Sequence, residues 1–176
     1  DHPITVSNVM CNMYDDYTFF SLGDLTGPYF GTVTSATGEE SYFQVQFCGV
    51  SQYNATYETY SSIIWALDAN GDRTHQITGV LAQNFDTIRE DQDGVLAAVG
   101  ITYESSKSKD VCIAAQEATN TTEATEAIHY YTTFTVRCNS DSKLQEDKFN
   151  ITVDPANQCH YIVEAHHAAG CPTYEI

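Results

Sequence analysis

The sequence predicts an all-β domain, a flattened antiparallel β-barrel or two-sheet sandwich of about nine short strands, and three observations predict it. First, 12 Tyr and 8 Phe accompany many Thr and Val, the aromatic and β-branched residues that pack on pleated surfaces. Second, apolar and polar residues alternate over short runs that Gly, Asn and Asp interrupt. Third, 6 cysteines with no CxxC pair occur in a chain with Asn-x-Thr sequons at Asn54, Asn120 and Asn150. Such spacing reads as a disulfide framework in an oxidising compartment rather than as metal ligands.

Along the chain, residues 1–10 read as an N-terminal arm and 11–176 as one domain. Ile4, Val6, Val9 and Met10 make the arm more apolar than a solvated tail, so it is expected either to pair within its own domain or to add a strand to a neighbour's sheet. Strands are expected near 17–22 and 29–34. Phe43, Val45 and Phe47 alternate with Gln44 and Gln46, which describes a strand with one buried and one wet face. IIWAL, DANGD and RTHQITGVL form a hairpin with Asn70-Gly71 at its tip, since both residues tolerate positive φ. Further strands are expected near 95–103, 129–138, 149–153 and 159–165. Residues 104–110 read as polar loop. The Ala-, Thr- and Glu-rich stretch 114–127 reads as a solvated loop rather than a weak helix, because the Asn120 sequon sits in it.

At 176 residues the chain can bury a core of its own, which disulfides then supplement. Lys and Arg total 7 against 24 Asp and Glu, a formal net charge of −17, which repels nucleic acid and anionic membrane surfaces. No apolar run reaches the roughly 20 residues that span a bilayer, and residues 1–10 lack the regions of a signal peptide. Membrane insertion by this chain is therefore not expected, and it reads as a mature secreted or luminal protein or an ectodomain. His160, His166 and His167 lie near cysteines, but thiols committed to disulfides do not hold zinc, and these histidines read as surface or turn residues. Asp68, Asn70 and Asp72 have calcium-loop spacing. The pattern fails at Arg73, where glycine is needed, and at Gly79, where a bidentate glutamate is needed. No metal or other cofactor is expected. With no GxSxG, HExxH or phosphate loop, catalysis is not expected either.

Taken together, Cys11, the strand ending in Cys48-Gly49, the Asn70-Gly71 hairpin, Cys112 after a polar loop, and the blocks TTFTVRCN and NQCHYIVEAHHAAGCP resemble the mannose-6-phosphate receptor homology domain over most of the chain. The resemblance implies the pairing Cys11–Cys48, Cys112–Cys159 and Cys138–Cys171 on a flattened barrel of two antiparallel sheets. It also implies a pocket in which Gln, Arg, Glu and Tyr hold a mannose ring. Tyr161 matches that tyrosine, and Asp154 falls close to the glutamate. Tyr130 stands at the arginine position and Trp65 at the glutamine position, while Arg137 is adjacent to Cys138 and away from the matching place. Lacking that cation, the implied pocket is degenerate, and mannose-6-phosphate is not expected to bind.

Two alternatives stay open at single residues. Trp65 with Tyr53, Tyr57 and Tyr60 form either a sugar-stacking platform or ordinary sheet aromatics. Tyr161 is either a ligand contact or a core residue whose hydroxyl the backbone satisfies. The function expected is a non-catalytic secreted or luminal glycoprotein module that binds a protein partner or like subunits. The alternatives are a lectin for mannose-type N-glycans and a self-assembling subunit that uses its arm.

Overall fold

The computed structural model describes residues 12–15, 18–22, 25, 29–34, 37–46, 50–53, 56–60, 63–79, 82–139, 149–172 and 174–175. Within them the chain is all-β. In order, the strands are β1 (Asn12–Asp15), β2 (Thr18–Ser21), β3 (Tyr29–Thr34), β4 (Glu40–Gln46), β5 (Val50–Tyr53), β6 (Thr56–Tyr60), β7 (Ile63–Leu67) and β8 (Arg73–Gln76). There follow β9 (Ala82–Gln92), β10 (Val95–Ser105), β11 (Val111–Ile113), β12 (Ile128–His129), β13 (Tyr131–Cys138), β14 (Phe149–Val153), β15 (His160–His167) and β16 (Tyr174–Glu175). A 3-10 turn, Ala168–Gly170, closes β15. The strand number exceeds the nine or so expected because several pairings, such as β11–β12 and β5–β6, are too short to show alternation.

Two sheets supply most of the core, and Phe20 of a third, β1-β2-β16, adds to it. One of the two has the order β3-β4-β7-β8, the other β14-β15-β13-β10-β9. Across the five-stranded sheet the inward positions form continuous ladders: Tyr103 lies beside Phe134, Phe134 beside Val163 and Val163 beside Ile151, with Ile101, Val136 and Ala165 in the next row. The Tyr103 and Phe134 rings stack with centroids 5.1 Å apart. Phe43, Val45, Ile64 and Ala66 face them from the four-stranded sheet, and all are buried. Burying each Val, Ile or Phe side chain among them contributes about 1.5–3 kcal/mol.

The expected antiparallel barrel is corrected on two counts. β13 and β15 run parallel, from Tyr131 beside His160 to Cys138 beside His167, and the chain reaches β15 through β14, which pairs with it antiparallel. The sheets also do not close, since closure needs hydrogen bonds across both seams. Where β14 meets β3 the contact is made by side chains instead: Gly31 lies against Phe149 and Ile151.

A buried polar seam joins the sheets at the other side. The Thr132 hydroxyl donates to Ile77 O at 2.9 Å, the Thr132 amide to the Ser105 hydroxyl at 3.0 Å, and the Ser108 hydroxyl to Gln76 O at 2.7 Å. The Ile64 amide donates to the Thr78 hydroxyl and the Gln76 amide to the Asp110 carboxylate. Burial works to raise the Asp110 pKa, but the Gln76 amide and neighbouring Lys109 outweigh it and hold the carboxyl below its ordinary value. At Gly79 the backbones touch, with its amide donating to Ser106 O at 2.8 Å. A Cβ there would fall 2.5 Å from Ser106 O and from Lys107 O.

Candidate functional site

The four residues singled out for a sugar pocket divide into separate places. Tyr161 on β15 packs edge-on to Phe43 at 5.5 Å and beside Tyr130 at 6.2 Å. Tyr130, just before β13, is stacked on His75 of β8 at 5.0 Å. Burial, with Tyr130 as a second cause, pushes the Tyr161 phenol above its ordinary value.

Asp154 serves the β14–β15 turn. Its carboxylate accepts the Ala156 amide at 2.9 Å and pairs with His160 Nδ1 at 2.9 Å. The His160 hydrogen bond is the main cause, and the Ala156 amide the next, that holds Asp154 below its ordinary pKa. His160 Nε2 in turn meets the Thr133 hydroxyl at 2.7 Å, and the ring stacks on Tyr131 at 4.3 Å. The Asp154–His160–Thr133 chain has the order of a nucleophile relay. Thr133, however, sits on β13, which is paired on both sides, so the ladder occupies the backbone amides that an oxyanion would need.

Trp65 points elsewhere. It alternates with the buried Ile64 and Ala66, so its ring projects from the outer face of the four-stranded sheet. There it lies under the Arg73 guanidinium, 5.0 Å from the ring centroid, with the Lys109 ammonium at 5.8 Å. Register places Phe30, Gln44 and Trp65 in one cross-strand row and Thr32, Tyr42 and Leu67 in the next. Phe30 is 66% exposed and Tyr42 43%. A groove of about 710 Å³ runs along this face to the edge of β14, with Phe30, Tyr42, Leu67, Asp68, Asn150 and Thr152 among its walls. Tyr53, Tyr57 and Tyr60 fall on the separate β5–β6 ribbon. The outer-face row was hidden in the sequence because Phe30 and Tyr42 are aromatic at positions where alternation anticipates polar residues.

Arg137 pairs with Glu90 at 3.4 Å and Glu164 at 3.3 Å. Asp68 accepts the Asn70 and Asp72 amides and so organises the hairpin tip, where Gly71 takes φ +85°. Among the described residues no group of His, Cys, Asp and Glu converges as a metal site. Disulfides join Cys112 to Cys159 and Cys138 to Cys171, as the resemblance implies. Cys11, Cys48, Asn54 and the arm residues Ile4, Val6, Val9 and Met10 lie outside the described residues.

Asn120 is exposed at the tip of a finger between β11 and β12, closed by the Gln116–Thr125 bridge and a Thr119–Thr122 turn. Asn150 is exposed on the edge strand β14. Two disulfides point to an oxidising, extracellular or secretory environment. No helix among the described residues is long and apolar enough to cross a membrane. The chain matches no protein-family model and no curated protein sequence.

Proposed function

We propose that this chain is a non-catalytic, secreted or luminal glycoprotein module related to the mannose-6-phosphate receptor homology domain, with its sugar site lost, and that it works by binding protein. One observation carries the reading: the polar groups around Tyr161 serve the fold. Asp154 holds a turn and His160, and Thr132, Ser105 and Ser108 bond to backbone. A sugar entering there would displace these bonds without replacing them. The recognition surface is instead the outer face with Phe30, Tyr42 and Trp65, whose aromatic character suits a protein interface. Commitment of the amides around Thr133 to the ladder supports a non-catalytic role. N-glycans belong on Asn54, Asn120 and Asn150.

The groove beside Phe30 and Tyr42 favours a second reading, a lectin for mannose-type glycans whose pocket has moved, because aromatic faces next to polar Asp68, Asn150 and Thr152 suit a pyranose. Titration of the chain against mannose-terminated glycans decides. The expected result is no binding, for the chain and for Tyr161→Phe alike. Micromolar binding lost in Tyr161→Phe restores the family pocket, and binding lost in Tyr42→Ala instead establishes the displaced one.

A further inference from the structure

The partner of the outer face follows from the charge and shape of the chain itself. β9 and β10 form a long hairpin whose two-residue loop, Asp93-Gly94, has φ of +54° and +86°, the geometry that a tight hairpin turn demands. The tip carries Val95 and Leu96, 65% and 61% exposed. Beside them are Asp91, whose carboxylate accepts the Gly94 amide, and Asp93. Among the described residues neither aspartate has a cation partner. The tip is thus apolar and acidic.

The outer face offers apolar walls and one cation, with the Asp68 carboxylate also on the groove. Phe30, Tyr42 and Leu67 border the groove, and Arg73, opposite Leu67 in the register, lies on Trp65 with no carboxylate partner among the described residues. Lys109 stands close by, paired with the Asp110 carboxylate at 3.2 Å. In a chain with 7 basic and 24 acidic residues, Arg73 over the half-buried Trp65 ring is a cation that no carboxylate partner neutralises among the described residues. Tip and face are both exposed, so neither covers the other within one chain.

We propose that the β9–β10 tip of one copy docks on the outer face of a second copy, with Val95 and Leu96 in the groove and Asp91 and Asp93 toward Arg73. The two patches differ, so the contact is head-to-tail and propagates into a chain or closes into a ring. The inference rests on the reading that the outer face binds protein. A hairpin tip covers less than a standard interface, so association is concentration-dependent and weakened by salt.

Sedimentation velocity of the secreted full chain, over a concentration series in about 50 mM and about 500 mM salt, is the test. Mass is expected to rise with concentration at low salt and to fall at high salt. Leu96→Glu and Tyr42→Glu, each with wild-type circular dichroism, are each expected to weaken association by about tenfold or more. Arg73→Ala is expected to weaken it roughly two- to fivefold. The decisive sample mixes the tip variant with the face variant. One intact tip then meets one intact face, giving a heterodimer and nothing larger. Should either variant misfold, Val95→Lys and Phe30→Glu replace them at more exposed positions.

A wild-type chain monomeric throughout, a variant that assembles like wild type, or a mixture that does not pair overturns the proposal. Loss of assembly only on deleting residues 1–9 also overturns it, in favour of the arm. Mannose binding through Tyr161 is a separate failure, of the underlying reading alone.

Discussion

Thr132 shows how single side chains in this molecule are spent on the fold. Its hydroxyl and amide both bridge strands at a fully buried position, so Thr132→Val keeps the shape and orphans Ile77 O. The expected cost is about 1–3 kcal/mol in urea denaturation. Gly79→Ala acts by contact rather than by bonding: its Cβ meets two backbone carbonyls that no rotamer can move, and a loss of about 1–3 kcal/mol is expected. Asp154 makes a pH-dependent contribution. Its folded pKa is depressed, so the stabilisation is present above the unfolded value of about 3.9 and is lost as pH falls through the lower folded value. Thermal melts of wild type and Asp154→Asn are expected to differ near neutrality and converge in acid, as pH falls through the depressed folded value. A gap that persists in acid would mean that the carboxylate charge is not what holds the turn.

At the scale of elements, Cys138–Cys171 ties the end of β13 to the turn after β15 across a sequence separation of 33. Replacing both cysteines by serine is expected to cost about 4 kcal/mol by the loop-entropy relation, read as a lowered urea midpoint. How far such elements were legible in the sequence depended on alternation. β14 at 149–153 and β3 at 29–34 fall where expected because each alternates and is bounded by turn residues. β9 was missed although Asp93-Gly94 marks its hairpin, since AQNFDTIREDQ has apolar residues only at scattered positions and is an edge strand. The parallel β13–β15 pair could not be read at all, because sequence periodicity reports which face is buried and not which strand lies alongside. The candidate site was half legible: Tyr130 and Tyr161 do meet, whereas strand alternation sends Trp65 to the opposite face of its sheet. Ser105 and Ser108 looked like loop residues because nothing in a serine signals that its partner is a distant backbone group, the Thr132 amide for one and Gln76 O for the other.

For the molecule as a whole, a net charge of −17 is a standing repulsion in the compact state. Screening relieves it, so the melting temperature is expected to rise as salt goes from about 20 to about 500 mM, and a flat response would place the acidic residues far enough apart not to matter. The disulfides have a mechanical consequence as well. Cys112–Cys159 and Cys138–Cys171 interleave along the chain, one loop opening inside the other and closing outside it. Pulled by its ends, the oxidised chain carries load from Cys112 straight across to Cys159, and the 47 residues of separation between them never come under tension. At about 3.4 Å per residue, roughly 160 Å of contour stays hidden until the bridges are reduced. In a head-to-tail filament each subunit would then yield only part of its length under force, so the strand of subunits would behave as a short-reach tether whose slack is set by the redox state of its surroundings.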